Sequence, residues 1–90
     1  MSTNEYDFNV DVNYITNKAV YKFDVVFKNI NILAAEAVST VKELFYYNYS
    51  IIEEQYPIGK YRTHPIRYFG EGHVWHFIIE RYIDQVFYEH

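Results

Sequence analysis

Ninety residues, half of them apolar, suffice for one domain with a modest core, and the lack of cysteine excludes disulfides and thiolate metal sites. The formal charge of −4 lies in residues 1–56, where eight acids meet four lysines; residues 57–90 carry four of each sign, so a global basic footprint for nucleic acid is missing. No apolar run approaches the ~18–20 residues that cross a bilayer, and MSTNEYDFN lacks the basic and apolar parts of a signal peptide; the expectation is a soluble, cytoplasmic protein without a membrane partner.

Residues 1–5 read as a flexible lead-in to a single domain over 6–90. Tyr6, Phe8, Val10, Val12 and Tyr14 alternate with Asp7, Asn9, Asp11 and Asn13, the period-2 pattern of a half-buried strand. After ITNKAV, a second strand sets Tyr21, Phe23, Val25 and Phe27 against Lys22, Asp24, Val26 and Lys28. A turn at Asn17 and Lys18 places Phe8 opposite Phe27, Val10 opposite Val25, Val12 opposite Phe23 and Tyr14 opposite Tyr21. In that register Asp11 lies directly opposite Asp24, a like-charge pair that costs stability unless screened or kept for a basic partner.

Over residues 32–55 the period becomes helical. Ala34, Ala37, Val38, Val41, Leu44, Phe45 and Ile52 share one face, with Asn29 or Asn31 available as a cap. The helix is expected to lie across the inner face of the first hairpin. Asn48 interrupts its apolar stripe, SIIE at 50–53 matches a capping box where it could kink, and Tyr46 and Tyr47 point away as candidate exposed rings.

YPIGKYRTHPIR reads as the main irregular stretch. Lys60, Arg62 and Arg67, interleaved with Tyr61 and Tyr68, form a small basic-aromatic patch of the kind that can hold phosphates and stack on bases. The stretch HPIRYFGEGHVWHF then admits two structures. In the first, GEG is a three-residue loop between strands 66–69 and 74–79, followed by a short helix over 80–88. In the second, a helix begins after Gly72. The β-rich composition of HVWHFII favours the hairpin.

The choice decides the chemistry. On a helix His73, His76 and Glu80 share a face and make a ligand line; on a strand the two histidines face opposite sides and cannot share a metal. No nucleophile elbow surrounds Ser2, Ser39 or Ser50, and no phosphate-cradling glycine pattern is present. The expected fold is α+β: an antiparallel sheet of about four strands, covered on one side by a long and a short helix (ββαββα, with ββαβα as the alternative).

The second hairpin would leave uncovered either Ile66, Tyr68, Val74, His76 and Ile78 or Arg67, Phe69, Trp75, Phe77 and Ile79. Both sets are largely apolar, which predicts a homodimer or a stable heteromeric complex. The reading is a small non-enzymatic protein-binding module without a cofactor, contacting its partner through Asp7, Asp11, Asp24, Tyr46, Tyr47 and Trp75. The alternative is a nucleic-acid binder using Lys60, Tyr61, Arg62 and Arg67. In size, acidity and lack of catalytic motifs the chain is similar to small phage-encoded inhibitors of host defence, such as anti-CRISPR proteins. That resemblance implies a viral protein in the host cytoplasm whose acidic face occupies a basic surface on its target.

Overall fold

The computed structural model describes residues 5–55 and 61–83. Its elements are β1 (Tyr6–Ile15), β2 (Lys18–Phe27), α1 (Ala34–Gln55), β3 (Tyr61–Glu71) and β4 (Val74–Ile83). The strands form one antiparallel sheet in the order β1-β2-β4-β3, so β4 is inserted between β2 and β3. The ββαββ order follows the α+β expectation, and the ββαβα alternative is overruled because residues 74–83 are strand. The expected C-terminal helix fails over its first turn: Glu80–Ile83 complete β4, and residues 84–88 lie outside the described residues.

The first hairpin turns one residue earlier than expected, through a loop of the same length, which shifts the cross-strand register by two. Thr16 and Asn17 form the loop, so Ile15 faces Lys18, Val12 faces Tyr21, Val10 faces Phe23 and Phe8 faces Val25. A slip of two preserves the faces, so hydrophobicity cannot choose between the registers. Charge can. Asp11 now faces Lys22, and Asp24 faces Asn9 instead of another carboxylate. The tight loop puts Thr16, not Asn17, at positive φ (35°), a conformation that a β-branched residue adopts only under strain.

The second hairpin also turns through two residues. Gly72 and His73 replace the expected GEG loop, with Glu71 opposite Val74 and Gly70 opposite Trp75. This changes the parity between the strands. The sheet's helix-free face therefore carries Arg67 and Phe69 from β3 but Val74, His76 and Ile78 from β4, neither of the expected sets. The stretch expected to be irregular is strand from Tyr61 onward, with a bulge between Pro65 and Arg67.

Helix α1 runs unbroken to Gln55, without a kink at SIIE. Asn48 is accommodated in its stripe because its side-chain amide donates to the Leu44 carbonyl at 2.8 Å. Asn29 caps the turn before the helix, its side chain accepting from Asn31 N–H at 3.0 Å, and the first helical bond runs from Ala37 N–H to Leu33 O. The helix packs on β3 and β4, not across the first hairpin. Its Phe45 ring meets Tyr68 at 5.6 Å and Phe77 at 5.5 Å, both edge-on. Phe77 in turn stacks on Phe23 at 4.5 Å, linking β4 to β2. Around these rings Val25, Phe27, Ile32, Ala37, Val41, Ile52, Trp75 and Ile79 complete the core.

Two glycines do different work. A Cβ on Gly70 would sit 2.4 Å from the Val74 carbonyl oxygen and 2.7 Å from Trp75 Cα, whereas at Gly72, with φ of +62°, it would meet nothing within 4 Å. Gly70→Ala is therefore expected to destabilise by more than ~2 kcal/mol, since backbone must move and φ is positive. Gly72→Ala should cost ~1 kcal/mol for its φ alone, and Thr16→Gly should gain a similar amount. Urea denaturation of the three variants checks this order.

Candidate protein-binding surface

The position of α1 leaves one half of the sheet open. An α-helix with its side chains is ~10–12 Å across, while four strands ~4.8 Å apart are wider. One helix therefore cannot cover the whole inner face. With α1 over β4 and β3, the inner face of β1 is the part left bare. Phe8 is 39% exposed, Val10 52% and Tyr14 80%, in a row with half-buried Tyr6 and Val12. The row is anchored at one end. Phe8 stacks on Phe23 at 5.6 Å, and Tyr6 meets Phe27 edge-on at 5.8 Å. The other end is open.

The two edges of the sheet differ. On the β3 edge, Pro65 has no N–H to offer and the adjoining bulge breaks the ladder, devices that discourage strand addition. The β1 edge is ten residues of regular strand with no proline, lysine or bulge. Lys28 N–H donates to Glu5 O at 2.9 Å, and Ile15 faces Lys18 across the tight loop. By the alternation of an antiparallel ladder, Asp7, Asn9, Asp11 and Asn13 direct their backbone groups to β2. Tyr6, Phe8, Val10, Val12 and Tyr14 direct theirs outward, so the same residues present both the apolar row and the open hydrogen-bonding edge.

On the helix-free face, Asp7 and Asp11 are exposed on β1. Asp24 is not available in the way the acidic-face reading required: it accepts a hydrogen bond from His76 Nδ1 directly across β2 and β4. The His76 ring lies 5.2 Å from that of Phe69, and the Arg67 guanidinium lies over the same Phe69 ring, 5.5 Å from its centroid. Further along, Lys18 pairs with Glu80 at 3.4 Å, and the Tyr82 hydroxyl donates to Glu80 at 2.7 Å. That hydrogen bond is the main reason the Tyr82 pKa lies above the usual phenol value; for Tyr49 the leading cause is burial, followed by Glu53. These contacts make the face a mixed, internally paired ladder rather than an acidic patch.

Trp75 is corrected outright. It points to the helix side, is 8% exposed and donates from its indole N–H to Gly72 O at 3.0 Å, so it belongs to the core. It shares its face of β4 with Phe77 and Ile79, both fully buried, and that face is the one packed under α1. Tyr46 and Tyr47 are exposed on α1 as expected. Of the basic-aromatic set, Lys60 lies outside the described residues, Tyr61 and Arg62 open β3, and Arg67 sits on the helix-free face. The metal line dissolves: His73 is in the turn, while His76 and Glu80 are four strand residues apart, ~13 Å along β4. Among the described residues no cluster of three or more His, Cys, Asp or Glu could hold a metal ion. No described helix is long and apolar enough to cross a membrane.

Sequence reasoning missed Phe8, Val10 and Tyr14 as surface residues, having assigned them to a covered face. The width of one helix against four strands was the available signal. Comparison with family models, curated proteins and solved structures gives no match to this chain.

Because the row's packing on the core comes from Tyr6 and Phe8, Val10→Ser and Tyr14→Ser should each change the stability of the dilute protein by less than ~0.5 kcal/mol, whereas Phe8→Ser should cost more than ~1 kcal/mol. Thermal melts at low protein concentration read this directly.

Proposed function

We propose that the chain is a small protein-binding module, non-enzymatic, whose contact element is β1. The observation that carries this reading is the coincidence, on one unprotected edge strand, of an exposed apolar row and an outward-facing set of backbone donors and acceptors. Adding a strand there supplies main-chain hydrogen bonds, and the flanking row supplies apolar contact. Exposed apolar surface of this kind marks interaction sites in soluble proteins, and long unprotected edges are normally blunted unless they are used.

The contact differs from an acidic face occupying a basic surface. Asp7 and Asp11 lie on the back of β1 and border the contact, while Asp24 is engaged by His76 and Trp75 is internal. An inhibitor of host defence remains one use to which such a module is suited, with the β1 strand as the element that blocks its target.

A photocrosslinking amino acid placed at Tyr14, in cells where the chain is native, tests the reading. Adducts to protein are expected from position 14 and not from the same probe at exposed Ser39 on α1. Equal adduct formation from both positions, or none from β1, would refute it.

A further inference from the structure

We infer that the occupant of the β1 edge is a second copy of this chain, paired antiparallel to the first about a two-fold axis at Val10. The inference rests on β1 being the contact element and adds the identity of what sits there.

Self-complementarity of the strand carries it. Centring the pair on Val10 sets Tyr6 against Tyr14, Phe8 against Val12 and Val10 against itself, so the apolar row reads the same in both directions. On the back of the strand, Asp7 falls opposite Asn13 and Asn9 opposite Asp11. Every aspartate of β1 then meets an asparagine. Centring on Asn9 would set Asp7 against Asp11, and centring on Asp11 would set that residue against its own copy; both place like charges directly opposite, which destabilises a ladder. Centring on Val12 also avoids the clash but leaves Tyr6, Asp7 and Phe8 with no partner on β1. Charge and ladder length together select Val10.

Backbone parity agrees. In the Val10-centred pair the even-numbered residues face one another, and these are the residues whose N–H and C=O groups point away from β2. The Asp–Asn pairs fall at the closer, non-hydrogen-bonded positions, where a change of side-chain charge is felt most. Closure follows from the other edge. Because β3 carries Pro65 and a bulge, β1 is the one open edge among the described strands of each copy, and an isologous contact of two such copies ends the assembly at a dimer instead of propagating a fibre. The axis runs perpendicular to the sheet, so both α1 helices lie on the same side. The two β1 rows become the floor of a trough between them.

Sedimentation of the purified full chain from ~1 μM to ~1 mM is the primary test. The mass should rise with concentration from 10.9 kDa toward twice that value. Asn13→Asp, which faces Val20 within its own chain but Asp7 across the axis, should weaken association about tenfold, and Asn13→Lys should tighten it by a similar factor. Val10→Pro removes an outward-facing N–H and should abolish the dimer; circular dichroism shows whether the strand still folds, and the Asn13 pair decides the matter if it does not. Since the chain has no cysteine, Val10→Cys oxidised with glutathione should crosslink faster than Val12→Cys, with Ser39→Cys as a silent control.

A chain that stays monomeric throughout, a dimer indifferent to both Asn13 variants, or crosslinking that is faster at position 12 would overturn the assignment. If the chain is monomeric yet Tyr14 probes capture other proteins in cells, only the second-copy assignment fails. If β1 yields no adducts of any mass, the binding-module reading fails with it.

Discussion

Among the described residues one helix has to cover four strands, and it is too narrow to do so. The consequence is set by where its largest apolar side chain docks. Phe45 lies edge-on to Tyr68 of β3 and Phe77 of β4, which fixes α1 over that half of the sheet. Phe77 stacks on Phe23, and Phe23 on Phe8, so a continuous aromatic line carries packing from the helix to β1. The line ends there. Beyond Phe8 no described element lies above the row: Val10 is 52% and Tyr14 80% exposed, with Val12 half-buried between them.

The strand insertion makes this arrangement stable despite the bare edge. With β4 between β2 and β3, the two central strands carry the most buried side chains: Phe23, Val25 and Phe27 on one, Trp75, Phe77 and Ile79 on the other. At the far end, Arg81 is buried and donates to the Tyr21 hydroxyl at 2.6 Å, with its guanidinium 5.9 Å from the same ring. Stability is thus concentrated in the middle of the sheet, and β1 can be optimised for contact with little cost to folding.

Local periodicity made the elements legible. The alternation of Tyr6 to Tyr14 and of Tyr21 to Phe27, and the helical stripe through Ala37, Val41 and Phe45, each determined an element and its apolar face. Three features escaped because they depend on turn geometry or on tertiary placement. A two-residue slip of the first hairpin leaves every face unchanged, so only the awkward meeting of Asp11 and Asp24 signalled the wrong register, and the true partners Lys22 and Asn9 resolve it. The second hairpin turned on Gly72 and His73 rather than on GEG, an odd-residue shift that put Trp75 on the face of Tyr68 instead of that of Phe69. The side of the sheet that α1 would cover depended on β4 reaching the centre, which no local pattern encodes. The candidate surface shares this fate: its residues were readable as a strand row, but not as an uncovered one.

The most direct test of the account is amide hydrogen exchange along β1 as the protein is diluted. The amides of Asp7, Asn9, Asp11 and Asn13 bond to β2 and should stay protected at every concentration. Those of Phe8, Val10 and Val12 point to the open edge and should be protected in concentrated protein, then lose protection on dilution as the second copy leaves. Fast exchange of Phe8, Val10 and Val12 in concentrated protein, or protection that does not change with dilution, would contradict a β1 edge that is open in one copy and closed by two.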